Sequence, residues 1–175
     1  MRTLFAAVFS LSLTLLSPTE AAADDVGHNV SLTLSPLHLF LPVVEVTGEF
    51  RLPLDFSLAA ILGFGSSEGI NVWEAGAQAR YYLIGSFEHG MPLGVEALYV
   101  GGSTAEAGVT ANGNGIAVGP FVGYKIATDI GFTFDAGVGF QYFTVTAHAS
   151  SSEASATVSD NRIIPLINLN VGWSF

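Results

Sequence analysis

Apolar side chains occupy every second position in the last segment of this chain. The odd-numbered positions of residues 163–175 carry Ile163, Pro165, Ile167, Leu169, Val171, Trp173 and Phe175. The even-numbered positions in its second half carry Asn168, Asn170, Gly172 and Ser174. A period of two residues places alternate side chains on opposite faces of a β-strand. The segment is therefore predicted to be a strand with one apolar face and one polar or small face.

The same alternation recurs upstream and becomes weaker towards the N-terminus. It predicts eight strands, at about residues 28–35, 43–52, 54–65, 70–84, 92–103, 115–127, 130–147 and 162–175. These lengths suit the ~9 to 11 residues that a tilted strand needs to cross a bilayer. Residues 51–55, 85–91 and 127–129 are predicted to be short turns. They alternate with predicted external loops at residues 36–41, 66–69, 104–114 and 148–161.

The composition is too apolar for an ordinary soluble domain. Hydrophobic residues make up 50% of the chain and charged residues 11%, whereas about a quarter of the residues in soluble domains are charged. Beyond the N-terminus no stretch approaches the ~20 apolar residues of a membrane-spanning helix. Because lipid permits no open sheet edge, the predicted fold is all-β, a closed antiparallel eight-stranded transmembrane up-and-down β-barrel. A soluble barrel with an apolar interior is the alternative, but the charged faces also carry many glycines, which suits a cramped interior.

The N-terminus has the features of a secretory signal peptide. Met1 and Arg2 give a positive start, residues 3–16 are almost wholly apolar, and Ala21 to Ala23 offer small residues for cleavage. Residues 1–23 are therefore predicted to be a cleaved signal peptide and residues 24–175 a single barrel domain. An uncleaved anchor helix is the alternative, although this apolar run is short for spanning a membrane.

The last seven residues, from Leu169 to Phe175, resemble the C-terminal signature of bacterial outer-membrane β-barrel proteins, which ends in an aromatic residue. The whole layout is similar to the small opacity-type and OmpX-like barrels. The resemblance implies a location in the outer membrane of a Gram-negative bacterium, contact with outer-membrane lipid, and recognition of Trp173 and Phe175 by the barrel-assembly machinery. It implies little about activity, because that superfamily includes adhesins, structural proteins and enzymes.

The charged residues of the strands fall on the face predicted to point inward. This set is Glu45, Glu49, Glu74, Arg80, Glu96, Lys125, Asp135 and Arg162. Counting outward from the turn near Phe87 places Arg80 opposite Glu96, which predicts an ion pair. An eight-stranded barrel is just wide enough for its side chains to fill, so these charges are predicted to form a polar network. The excess of acids leaves a narrow cation-preferring path as the alternative.

Evidence for catalysis, metal binding or nucleic-acid binding is weak in this sequence. His148 and Ser150, with Glu153 nearby, faintly resemble the His-x-Ser of barrel-type lipid A deacylases, but Ser151 stands where that family has Asn. His28, His38 and His89 lie far apart and match no metal-ligand spacing, and neither a metal nor a cofactor is predicted. A net charge of −10 disfavours nucleic acid.

The predicted function is a structural or surface-interaction role in the outer membrane. Permeation of cations or small solutes through a narrow pore is the second possibility, and hydrolysis of lipid A is a distant third. The chain is not predicted to be an enzyme. The predicted loops at residues 104–114 and 148–161 carry no Lys or Arg and few aromatic residues. Because protein-binding hot spots usually contain Trp, Tyr or Arg, these loops identify no external ligand.

Overall fold

The computed structural model describes residues 27–40, 43–67, 69–106, 109–150 and 155–175. The predicted signal peptide, residues 1–23, lies outside the described residues. The elements in chain order are β1 (Val30–Leu34), α1 (Pro36–Leu39), β2 (Val43–Arg51), β3 (Phe56–Ser67), β4 (Ile70–Gly85), β5 (His89–Glu106), β6 (Val109–Ala127), β7 (Phe132–Ser150) and β8 (Ser155–Ser174).

The strands form one ring-like antiparallel sheet. Each strand pairs with the next one along the chain, and β8 pairs back to β1. The prediction of an all-β, up-and-down arrangement of eight strands is therefore confirmed. The start of β1, the end of β8 and the turns after β2, β4 and β6 lie at one end of the ring, which we call the terminal end. The β3–β4, β5–β6 and β7–β8 hairpins lie at the opposite end, the hairpin end.

Strands β5 to β8 are longer than predicted. Cross-strand pairing of β5 with β6 continues to Glu106 and Val109, and that of β7 with β8 continues to Ser150 and Ser155. Most of the predicted loops at residues 104–114 and 148–161 is therefore strand. Their many Ala, Ser, Gly and Asn residues indicated loops, but Thr and Val are interspersed among them, and a neighbouring hairpin arm supplies the hydrogen bonds that such segments need to remain extended.

The two faces of the ring differ in polarity. Large apolar side chains cover the outer face; Leu58, Val95, Ile116, Val138 and Ile167 are each more than half exposed. The inward positions carry buried polar and charged side chains, such as Glu49, Arg80 and Lys125. This distribution is the reverse of a soluble barrel with an apolar interior.

The ring has a short seam. Pairing between β1 and β8 covers only residues 31–34 of β1 and residues 171–174 of β8. Nearer the hairpin end, α1 lies between the two sides of the seam and contacts both β2 and β8. Leu37 of α1 lines an apolar hollow of about 520 Å³ together with residues of β6, β7 and β8. Among the described residues, no helix has the length and apolar character needed to cross a membrane.

The register between β4 and β5 differs from the prediction. Arg80 is opposite Gly94, and Glu96 is opposite Gln78. The register shifts between Tyr82 and Ile84. The predicted register assumed regular pairing outward from the turn and therefore lacked this irregularity. The predicted ion pair between Arg80 and Glu96 is therefore wrong, and Arg80 pairs with other carboxylates.

Candidate functional site

The Glu49 carboxylate is the centre of a hydrogen-bond network inside the ring. Its Oε2 lies 2.8 Å from Lys125 Nζ and 3.3 Å from Arg80 Nη1. Its Oε1 accepts hydrogen bonds from the Tyr82 hydroxyl at 2.8 Å and the Ser57 hydroxyl at 2.5 Å. The Ser31 hydroxyl also donates to Oε2, at 3.4 Å. The network holds a buried carboxylate with two cations and three hydroxyl donors, which compensates the cost of removing the charge from water.

Arg80 joins this centre to the opposite wall. Its Nη1 donates to Asp135 Oδ2 of β7 at 2.6 Å, and its Nε donates to Gln78 Oε1 at 2.7 Å. The guanidinium also lies over the Phe121 ring, 5.6 Å from the ring centroid. A planar guanidinium with several fixed donors suits this bridging position.

A second branch is centred on Glu96 of β5. The amide nitrogens of Gln78 and Gln141 each donate to Glu96 at 2.5 Å, and that of Asn168 donates at 3.0 Å. The Lys125 ammonium donates to Ser31 of β1 at 3.1 Å. Together the two branches connect side chains from all eight strands, so the network ties the wall of the ring together.

The terminal end of the interior is filled by the turn between β4 and β5. Phe87 and Glu88 of this turn are almost fully buried. The Lys125 ammonium lies 3.3 Å from the centroid of the Phe87 ring, a short cation–π contact. The backbone N–H of His28 donates to the Glu88 carboxylate at 2.9 Å. Phe87 and Glu88 therefore form a plug on the terminal side of the Glu49 network.

Carboxylates are paired with lysine and arginine at one level of the interior and not at the other. Arg80 and Lys125 face Glu49 and Asp135 towards the terminal end. Towards the hairpin end lie Glu45, Glu74 and Glu96, all buried. Within the described part of the chain, none of these three carboxylates forms an ion pair with a lysine or arginine. The hairpin half of the interior is therefore acidic.

His38 of α1 reaches this acidic half. Its Nε2 lies 3.4 Å from Glu45 Oε2, and its Nδ1 lies 2.9 Å from the Ser35 hydroxyl. One ligand atom from each of His38, Glu45 and Glu74 can be chosen so that all lie within 4.8 Å of one another. We call these three residues the His38 cluster. No sequence spacing indicates it, because its members come from α1, β2 and β4.

The structure places most of the predicted interior charges inside the ring. Glu45, Glu49, Glu74, Arg80, Glu96, Lys125 and Asp135 are buried. Arg162 is exposed, and the prediction that it belongs to the interior network is wrong. At Arg162, β8 pairs with β7 alone, because the pairing of β8 with β1 covers only residues 171–174, so the side chain lies beyond the part of β8 where the ring is closed.

The residues that resemble a hydrolase motif, His148, Ser150 and Glu153, are not seen together as a catalytic site in the described part of the chain. His148 is exposed, and its Nδ1 forms a hydrogen bond of 2.9 Å with Thr157 Oγ1 on β8. Glu153 and the side chain of Ser150 lie outside the described residues. His148 is therefore explained by a cross-strand pair on the outer face, which requires no catalytic role.

The two residues of the predicted assembly signal lie at the seam. Trp173 points outward and packs edge-on against Phe132, with ring centroids 5.9 Å apart. The backbone oxygen of Phe175 accepts hydrogen bonds from the N–H groups of Asn29 at 2.7 Å and Val30 at 3.2 Å. The last residue therefore joins the end of the chain to the beginning of β1.

Comparisons with protein-family models, with curated proteins and with solved structures give no significant match to this chain.

Proposed function

We propose that the chain is an outer-membrane β-barrel protein of a Gram-negative bacterium, with a structural or surface-interaction role. In this proposal the ring is a closed barrel that spans the lipid bilayer, residues 1–23 are removed on export, and the barrel-assembly machinery inserts the product. The interior holds the wall together and carries no wide channel.

The observation that carries the proposal is the polarity of the two faces. The outer face carries exposed Leu, Ile, Val and Phe side chains around the ring, whereas Glu49, Arg80 and Lys125 are buried inside. Soluble monomers rarely expose contiguous apolar patches larger than a few hundred Å². A membrane-spanning barrel has an apolar outer band and a polar interior, so lipid is the solvent that this surface suits.

Aromatic side chains on the outer face also support contact of this face with a membrane. Trp73 packs against Tyr99 with ring centroids 5.2 Å apart, and Phe56 packs against Tyr81 at 4.9 Å. The first pair lies towards the hairpin end and the second towards the terminal end. Aromatic girdles at both membrane interfaces are typical of outer-membrane barrels.

The filled interior favours a structural role over permeation. The Phe87 plug and the cation pair of Arg80 and Lys125 lie across the terminal half. A cation entering from the acidic hairpin half meets these two positive charges and then the buried turn. Cation permeation is therefore the second candidate, favoured only by the acidic half, and lipid hydrolysis is not proposed.

Membrane fractionation combined with gel migration tests the proposal. The full precursor is expressed, outer membranes are isolated, and boiled and unboiled samples are compared. We expect a processed chain in the outer-membrane fraction that migrates as a compact species until it is boiled. A soluble periplasmic product without a heat-dependent shift would contradict the membrane assignment, and a steady, wide conductance in planar bilayers would contradict the filled interior.

A further inference from the structure

We propose that the His38 cluster binds a divalent transition-metal cation of the Zn²⁺ class. The site lies in the acidic hairpin half of the ring, where α1 meets the inner faces of β2 and β4. It goes beyond the proposed function, because neither a structural role nor permeation requires a bound metal.

The distances within the cluster suit a small cation. Zn²⁺ binds imidazole nitrogen and carboxylate oxygen at about 2.0 to 2.2 Å, so two ligand atoms of a tetrahedral site lie roughly 3.3 to 3.6 Å apart. His38 Nε2 and Glu45 Oε2 are 3.4 Å apart. One oxygen of the Glu74 carboxylate lies within 4.8 Å of a ligand atom of each of the other two residues.

The Glu74 carboxylate points independently to a ligand at this position. Glu74 is 6% exposed, and its Oε1 is buried without a hydrogen-bond partner among the described residues. A buried carboxylate oxygen without a partner is costly. Glu74 also lies directly over Gly63, where any Cβ atom would collide with the carboxylate. Glycine at this position therefore leaves the room that the Glu74 side chain occupies.

Ser35 orients the imidazole for metal binding. The Ser35 hydroxyl lies 2.9 Å from His38 Nδ1. When Nδ1 carries the proton and donates it to this hydroxyl, the Nε2 lone pair is directed towards Glu45. Metal-bound histidines commonly donate their other ring N–H to such a partner, which fixes the tautomer and the ring orientation.

The ligand set selects the class of metal. Imidazole together with carboxylates suits Zn²⁺ and neighbouring first-row cations, whereas Ca²⁺ and Mg²⁺ prefer oxygen ligands alone. A dication also neutralises the two carboxylates of Glu45 and Glu74, which otherwise face each other without a lysine or arginine partner among the described residues. A bound metal would fasten α1 to β2 and β4, on one side of the seam of the ring.

The test measures metal binding directly. The barrel, purified in detergent, is stripped with a chelator, dialysed, and titrated with Zn²⁺ by calorimetry; elemental analysis then gives the stoichiometry. We expect one Zn²⁺ per chain. His38→Ala, Glu45→Gln and Glu74→Gln should each weaken binding at least 100-fold, and Ser35→Ala should weaken it roughly 10- to 100-fold.

Matched variants and competing metals establish whether Zn²⁺ binds at the His38 cluster or elsewhere on the barrel. His148→Ala removes an exposed histidine that is not part of the cluster and should leave Zn²⁺ affinity unchanged. Heat-dependent gel migration verifies that each variant remains folded, and the glutamine variants keep the size of the side chain. The proposal is overturned if Zn²⁺ does not bind stoichiometrically, if the cluster variants bind it as the parent does, or if Ca²⁺ and Mg²⁺ compete equally.

Discussion

Replacing Glu49 by glutamine should be among the most damaging single changes in the interior. Glu49 is 2% exposed and lies next to both buried cations, Lys125 at 2.8 Å and Arg80 at 3.3 Å. Arg80 keeps Asp135 at 2.6 Å, whereas Lys125 loses its nearest carboxylate and keeps Ser31, the Phe87 ring and its cross-strand neighbour Asp135, which Arg80 already engages. Removing one member of a buried ion pair typically costs about 3–5 kcal/mol, and this variant should fall within that range.

The double variant Glu49→Gln/Lys125→Met isolates the interaction. It removes both members of the pair and leaves Arg80 with Asp135, so the remaining charges are again balanced. We expect it to be more stable than Glu49→Gln alone by about 1–3 kcal/mol, because no unpaired buried charge remains.

The assay is denaturant unfolding of the barrel in lipid vesicles, followed by fluorescence. The chain has 2 tryptophans, Trp73 and Trp173, which lie on the outer face of opposite halves of the ring. Lys125→Met alone completes the double-mutant cycle. Additive losses, with a coupling below about 0.5 kcal/mol, would refute the argument that Glu49 and Lys125 compensate each other.

Three further variants test the outer face, the plug and the last residue of the ring. Val138→Lys places a charge on the outer face. We expect it to lower the free energy of unfolding in vesicles by roughly 2–4 kcal/mol, the cost of a lysine near the bilayer midplane. The control Ser159→Lys, on the exposed part of β8, should leave that free energy unchanged in the same unfolding assay. In planar bilayers the parent protein should be nearly silent, whereas Phe87→Ala removes the plug and should produce small cation-selective openings that Glu45→Gln makes less selective. Deleting Phe175 removes the backbone hydrogen bonds to Asn29 and Val30, so the heat-modifiable fraction in outer membranes should fall several-fold, as gel densitometry would measure.

The sequence predicted eight strands in the right order, but neither the full length of the later strands nor the contacts between side chains. The period-two alternation predicted strands close to the observed ones at β2, β3 and β4, because apolar and polar faces meet different surroundings. The hairpins at the ends of β5 to β8 were predicted as loops, since small residues such as those at positions 104–114 have weak intrinsic strand preference. Their extended conformation depends on pairing with a neighbouring arm, which composition does not encode.

Residue parity identified the buried interior charges except for Arg162, and the register of the strands decided which of them meet. The shift between Tyr82 and Ile84 moved Arg80 away from Glu96 and left it beside Glu49 and Asp135. The His38 cluster could not be predicted from the sequence, for a related reason. His38 belongs to a four-residue helix at the seam, and its approach to Glu45 and Glu74 depends on the three-dimensional course of α1.

Spin labelling tests most directly whether the outer face of the ring contacts lipid, as we propose. The chain contains no cysteine, so single nitroxide labels can be attached at Val95→Cys and Val138→Cys on the outer face, with Ser159→Cys as an exposed control. Collision rates with oxygen, which concentrates in lipid, and with a water-soluble nickel chelate are then measured in vesicles. We expect labels at positions 95 and 138 to collide readily with oxygen and rarely with the chelate, and the label at position 159 to do the reverse. Equal access of the chelate to all three positions would show that the outer face contacts water and not lipid.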